Sequence, residues 1–122
     1  MVRSKRSKLG LRGEDLAVAL LQARGLTVLA RNYHCRFGEI DVICLHGAVT
    51  VFCEVKLRRS ALFGTPEEAV TPRKLQRLVL SAQTYLEEQG RADADWRIDL
   101  VAIELDPGGS VTRQEIIEGI GS

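Results

Sequence analysis

The chain has 122 residues, of which 45% are hydrophobic and 27% are charged, and its formal net charge is +1. These values exclude a disordered polyelectrolyte and are typical of one folded domain, which at this length buries roughly two-thirds of its unfolded surface. The apolar run at residues 16–21 is too short for a signal peptide and follows two acids, so we expect a cytoplasmic protein with no membrane partner.

A basic N-terminal arm occupies residues 1–12, and a single domain is expected over residues 13–118. Five cations precede the first acid in the chain: Arg3, Lys5, Arg6, Lys8 and Arg12. Two interpretations of the arm stay open, namely contacts with a phosphate backbone and a disordered, solubilising tail. The three cysteines are odd in number and lack a CxxC spacing, so neither a disulfide framework nor a zinc site is indicated.

The first predicted element is a helix over residues 13–24, which ends at Gly25. Glu14 opens this helix and lies one turn before Val18 and two turns before Leu21, so its carboxylate is expected near the apolar stripe. It has two open interpretations: a favourable acid at the positive end of the helix dipole, or an inward-facing acid of a metal site.

A strand is predicted at residues 26–33 and a turn at 34–38, followed by a hairpin whose two strands carry charge within apolar runs. Asp41 lies in the first strand, and Glu54 and Lys56 lie in the second. Side chains alternate between the faces of a strand, so Glu54 and Lys56 share one face. Whether Asp41 shares that face depends on the turn.

Three turns are compatible with the hairpin. A loop of residues 47–48 sets Asp41 opposite Glu54, and a loop of residues 46–47 sets Asp41 diagonal to Glu54. Both arrangements leave Asp41, Glu54 and Lys56 on one face. A three-residue loop would send Asp41 to the opposite face, because a slip of one residue reverses every side chain.

Carboxylates within such apolar strands are costly unless a cation compensates them, by several kcal/mol for each unpaired ion. Hard oxygen ligands suit Mg²⁺ or Mn²⁺, and Lys56 beside such a metal could orient the attacking water. The alternative is structural: Lys56 neutralises Glu54 at a strand end, while Asp41 lies in a turn or pairs with Arg58.

Residues 57–64 are predicted to form a loop in which Arg58 and Arg59 either contact phosphates or pair with surface acids. Thr65-Pro66 and Thr71-Pro72 both predict helix starts, because a capping residue precedes a proline at the first helical position. The second helix is expected to run to about residue 89.

Near the start of this helix Lys74 is a candidate phosphate ligand. Arg73 and Arg77 either face a phosphate as well or form a solvated helix flank. Strands at residues 96–105 and 111–117 complete the chain, and the last of them is expected at a sheet edge. Arg97 and Asp99 are interpreted as a structural pair. The order of elements predicts an α/β domain with a mixed sheet flanked by helices.

The sequence resembles the YraN-type bacterial family and, more widely, the PD-(D/E)XK nuclease superfamily, including archaeal Holliday-junction resolvases. The matching pieces span residues 13 to about 103: Gly13-Glu14, Arg31-Asn32, Gly38-Glu39-Ile40-Asp41, Phe52-Cys53-Glu54-Val55-Lys56-Leu57-Arg58, Phe63-Gly64, Lys74 and Arg97-Ile98-Asp99. The resemblance implies a restriction-endonuclease-like fold. It also implies that Asp41, Glu54 and the Val55 carbonyl bind Mg²⁺ or Mn²⁺, that Lys56 is catalytic and that Glu14 assists.

The leading hypothesis is therefore an endonuclease that hydrolyses phosphodiester bonds in structured or branched DNA. A resolvase cuts two strands symmetrically, so this version also predicts a homodimer. The alternatives are a nucleic-acid-binding module without catalysis and a protein-interaction domain on the same scaffold. Salt-dependent DNA affinity separates the last of these from the first two.

Overall fold

The computed structural model describes residues 8–59 and 64–121, with side chains from residue 12 onward. The elements are α1 (Lys8–Ala23), β1 (Thr27–Cys35), β2 (Gly38–His46), β3 (Val49–Arg58), α2 (Pro72–Glu88), β4 (Trp96–Leu105) and β5 (Val111–Ile117), with a 3₁₀ turn at Glu67–Ala69. The predicted features at residues 1–7 and 60–63 lie outside the described residues. Within the described ranges, no helix is long and apolar enough to cross a membrane.

The five strands form one mixed sheet in the order β1-β2-β3-β4-β5. Strands β1, β2 and β3 are antiparallel neighbours, β3 and β4 are parallel, and β5 returns antiparallel to β4 at the sheet edge. The crossover between the parallel strands carries α2, as a parallel pair requires. This architecture confirms the predicted α/β class and the edge position of the last strand.

The sheet is covered on both faces. Helix α1 packs with one set of strand side chains, in which Val42, Cys44, Val51 and Cys53 are fully buried. Helix α2 packs on the other face, against a second set that includes the buried Phe52. Because β2 and β3 lie between two helices, they are apolar on both faces, and a charged residue in them enters the interior.

Three predicted boundaries differ from the structure. Helix α1 begins at Lys8, so the last part of the predicted arm is helical. Strand β1 continues to Cys35, because that residue still pairs with Gly38 of β2. Arg58 belongs to β3 and not to a loop, because the parallel ladder with β4 extends to its pairing with Glu104. Pairing with a neighbouring strand lengthened both strands beyond their local sequence signals.

Residues of both helices lie near the end of β3. Gly13, in the first half of α1, lies so close to the sheet that a Cβ added there would sit 3.1 Å from the Leu57 Cβ. Thr71 caps α2, and its side chain accepts a hydrogen bond from the Lys74 backbone amide (3.2 Å). The positive end of the α2 dipole therefore lies near Glu54 and Lys56, because Thr71 lines the same cavity as these two residues.

Candidate functional site

The hairpin turn between β2 and β3 decides which side chains share a face. His46 pairs with Val49 and Val42 pairs with Cys53, so the loop is residues 47–48 and the same register sets Asp41 opposite Glu54. Gly47 opens the loop with φ 62, a conformation that glycine adopts without steric cost. The first of the three turn alternatives is thus the one observed.

Asp41 is buried at the point where the registered β2–β3 pairs end. Its Oδ2 accepts a hydrogen bond of 2.8 Å from the Val55 backbone amide. In an antiparallel ladder the N–H and C=O of one residue point to the same neighbouring strand, so the Val55 carbonyl also faces the β2 side. One carboxylate and one backbone carbonyl are therefore presented together next to Glu54.

Glu54 lies between two lysines. Its side chain is 8% exposed, and its Oε1 is 3.6 Å from Lys56 Nζ and 3.8 Å from Lys74 Nζ. Both separations exceed a hydrogen-bonding distance, so the ammonium groups balance charge without holding the carboxylate in place. Formally, Asp41 and Glu54 carry two negative charges against the two positive charges of the lysines.

Although the formal charges balance, the surroundings of Glu54 favour its protonated form. Burial raises the pKa of Glu54 to about 7, with repulsion from Asp41 as the next cause, and the two lysines only partly offset the rise. Burial and the neighbouring Lys56 also lower the pKa of Lys74. At this pKa the Glu54 carboxyl is about half protonated near neutral pH, and a divalent metal bound there would displace its proton.

The raised pKa predicts how metal-free stability depends on pH. A carboxyl whose folded pKa lies above its unfolded value of 4.5 contributes stability below pH 4.5, and this contribution is lost as pH rises through about 7. We therefore expect the stability of the wild type relative to Glu54→Gln to fall by on the order of 1–3 kcal/mol between pH 5 and pH 8. Urea denaturation of both proteins with chelator at the two pH values measures this difference. A stability difference between the two proteins that stays constant with pH would contradict the raised pKa of Glu54.

The site opens into a cavity of about 540 Å³ between the sheet and α2. The strand wall carries Glu39, Asp41, Glu54 and Lys56, and the helix wall carries Arg73, Lys74 and Arg77. One wall thus presents three acids with a lysine, and the opposite wall presents three cations. A ligand that combines a metal cation with an anionic group matches both walls.

The donor atoms fit a hard divalent cation. Mg²⁺ typically takes one or two protein carboxylates and retains waters, and its remaining ligands come from substrate phosphate. Asp41, Glu54 and the Val55 carbonyl offer such a set. Among the described residues, no group of three or more His, Cys, Asp or Glu side chains is arranged to hold a metal ion, so this set consists of two carboxylates and one backbone carbonyl.

Glu14 is buried as expected, but it contacts residues of β1. Its carboxylate is 1% exposed, and its Oε1 accepts hydrogen bonds from Arg31 Nε (2.8 Å) and Asn32 Nδ2 (3.1 Å). Within the described ranges, Glu14 is not among the residues that line the cavity. Its predicted assistance to catalysis therefore stays a prediction, while its contacts tie α1 to β1.

Two of the predicted phosphate ligands, Arg58 and Arg59, are not among the described residues that line the cavity. Arg58 Nη1 donates to the Leu57 carbonyl (3.0 Å), and Arg59 is exposed just after β3. Their role stays a prediction.

The sequence left the position of Arg73 and Arg77 undecided. In the structure, both residues line the cavity. The sequence signal for this position was the spacing of Arg73 and Arg77. Residues four apart lie on one helix face, and Lys74 lies beside that face.

The predicted pairing of Arg97 with Asp99 is observed. Asp99 is fully buried, and its Oδ1 accepts hydrogen bonds from Arg97 Nε (3.1 Å) and from the Gly119 amide (3.0 Å). Burial raises the pKa of Asp99. The pair fastens the segment after β5 to the sheet and contributes no group to the cavity wall.

Comparison with known proteins identifies the relatives of this chain. Residues 13–103 match the uncharacterised protein family UPF0102. A UPF0102 protein of Syntrophomonas wolfei is 46% identical over 84% of this chain and 90% of its own length. One from Moorella thermoacetica is 43% identical over 98% of this chain and 97% of its own, and one from Neisseria gonorrhoeae is 43% identical over 80% and 84%. These names state no activity.

Proposed function

This chain belongs to the uncharacterised protein family UPF0102, and from the geometry of its carboxylate site we propose that it is a metal-dependent endonuclease acting on DNA. The family prediction made from residues 13 to about 103 is confirmed, and the match covers residues 13–103. The assignment to the nuclease superfamily and the activity itself are part of the proposal.

One observation carries the proposal: two buried carboxylates and a lysine share one face of adjacent strands, at the wall of an open cavity. Burial and repulsion from Asp41 raise the pKa of Glu54 to about 7, and the two lysines offset this rise only in part. The arrangement therefore costs stability in the metal-free protein. Such strain concentrates at sites where a ligand relieves it.

The chain's own residues supply three roles. Asp41, fixed by the Val55 amide at 2.8 Å, and Glu54 are positioned to hold Mg²⁺ or Mn²⁺ together with the Val55 carbonyl. Lys56 Nζ, 3.6 Å from Glu54, is positioned to orient the attacking water and to donate hydrogen bonds to a phosphate oxygen. When bound, the metal would act as a Lewis acid that stabilises negative charge on the phosphoryl oxygens.

Lys74 has a positioning role on the opposite wall. Its ammonium lies 3.8 Å from Glu54 Oε1, and its side chain is 36% exposed, so it can contact both the carboxylate and an incoming phosphate. Binding a phosphate between Lys56 and Lys74 would set the scissile bond beside Asp41 and Glu54. Water then attacks phosphorus in line with the leaving oxygen, and the phosphodiester is hydrolysed.

Structured or branched DNA is the substrate class that we propose, on the resemblance to Holliday-junction resolvases. Paired cuts at a branch require two sites related by two-fold symmetry. A homodimer is accordingly part of this version of the proposal. Analytical ultracentrifugation with and without a four-way junction measures it.

The test is cleavage of end-labelled single-stranded, duplex, flap and four-way-junction DNA with Mg²⁺ or Mn²⁺, comparing the wild type with Glu54→Gln. We expect metal-dependent cutting by the wild type, at least about 100-fold slower in the variant. The same panel in RNA tests the preference for DNA. Binding without cutting by the folded wild type would instead support the non-catalytic binding module.

A further inference from the structure

The arginines that the structure describes differ in their partners. Arg31, Arg97 and Arg113 each form ion pairs with at least two carboxylates. Arg73 and Arg77 line the cavity, and no carboxylate of the described residues forms an ion pair with either of them. Their guanidinium groups are thus available to an anion from outside the chain.

The two arginines extend the positive charge of the cavity along α2. They are four residues apart, so they lie on the same helix face one turn apart. Lys74 stands beside Arg73 and reaches Glu54 at 3.8 Å, which sets the arginines next to the carboxylate site. Arg73 lies in the first turn of α2, where the helix dipole adds to the attraction for anions.

Like charges one turn apart destabilise a helix unless something compensates them. Each guanidinium can donate two parallel hydrogen bonds to a phosphate, which makes arginine suited to phosphodiester recognition. The helix below them is firmly anchored, since Leu78 is 3% exposed and Ser81 is 1% exposed. The two cations are therefore presented on a rigid support.

We propose that Arg73 and Arg77 form a subsite for backbone phosphates that flank the scissile phosphate. The substrate is then a continuous nucleic-acid strand that lies along the first two turns of α2, and not a mononucleotide or a terminal phosphate. This inference rests on the proposed nuclease function. It adds the direction in which the strand leaves the carboxylate site.

The experiment compares Arg73→Ala/Arg77→Ala with Arg24→Ala/Arg91→Ala. The control removes the same charge from the opposite ends of α1 and α2, where Arg24 is exposed and Arg91 follows the last turn. Binding of a labelled 20-nucleotide strand and of its duplex is measured with chelator, between 50 and 300 mM salt. Circular dichroism checks that both variants are folded.

The slope of log K against log salt is negative. Each lost phosphate contact reduces its magnitude by about 0.7 on single strands and about 0.9 on duplex. We expect the cavity variant to lose about 1.4 to 1.8 from the slope and the control to keep the wild-type slope. As a second measurement, neutral methylphosphonate linkages are placed one at a time along the strand. They should weaken the wild type at one or two positions and leave the cavity variant insensitive there.

Equal slopes for the wild type and the cavity variant would overturn the subsite. The nuclease proposal would be unaffected by that result if the wild type still binds and cuts. Equal losses in the cavity variant and the control would also overturn it, since net charge alone would then explain binding. A wild type that neither binds nor cuts any nucleic acid would overturn both proposals.

Discussion

Replacing Lys56 with methionine should slow phosphodiester cleavage by about 100- to 1000-fold while changing DNA affinity by less than about threefold. The methionine retains most of the side-chain volume, so the packing of β3 is preserved. The lost ammonium is the cation that lies 3.6 Å from Glu54 on the same strand face. Its removal takes away the hydrogen-bond donor that we propose for the reacting phosphate. Single-turnover cleavage with saturating enzyme measures the rate separately from binding.

Lys74→Met is the matched comparison, because Lys74 Nζ lies 3.8 Å from the same Glu54 oxygen. If loss of a positive charge near Glu54 were the whole effect, both substitutions would slow cleavage by the same factor. We expect Lys74→Met to weaken DNA binding more than it slows cleavage. Cleavage by Lys56→Met at a rate within threefold of the wild type would remove Lys56 from the proposed chemistry.

Asp41→Asn and Glu54→Gln should each weaken Mg²⁺ or Mn²⁺ binding by at least about tenfold. Each change removes an anionic ligand and preserves the shape of the side chain. Glu54→Gln also removes the buried carboxyl group whose pKa is raised to about 7. The metal-free variant should therefore be no less stable than the metal-free wild type at pH 8. Titration calorimetry with Mn²⁺ gives the affinity, and thermal unfolding gives the stabilisation by metal.

Glu87→Gln serves as the control for these two variants. Glu87 is an exposed carboxylate near the end of α2, so this variant should bind metal as the wild type does. Because bound metal stabilises only the folded state, the wild type and Glu87→Gln should unfold at higher temperature with Mn²⁺. Unchanged metal affinity in Asp41→Asn would contradict the ligand assignment, whatever its cleavage rate.

Most of the fold followed from local signals. Thr71-Pro72 predicted the start of α2, and the alternating apolar residues predicted β4 and β5 with the bounds that the structure shows. The predicted boundaries of α1, β1 and β3 were wrong. The ends of β1 and β3 depend on pairing with a neighbouring strand. A strand ends where pairing ends, and the pairing partner is remote in sequence.

The site followed from sequence only in part. Acids and a lysine in apolar strands were visible in the sequence, because a buried charge is rare without a partner or a ligand. Arg73 and Arg77 were undecided, because a helix pattern identifies the apolar face and leaves the borders of that face open. Only the packing of α2 over β2 and β3 shows that these residues face the cavity.

Residue identity and short-range spacing were enough to predict the family, the order of the elements and the chemical types available at the site. The tertiary structure decided that the hairpin loop is residues 47–48, so that Asp41 lies opposite Glu54. It also placed Glu14 against Arg31 and Asn32. The physical reason is that one residue of strand register, or the contacts of one helix, decides which side chains meet, and the packed chain selects among arrangements with similar local energies.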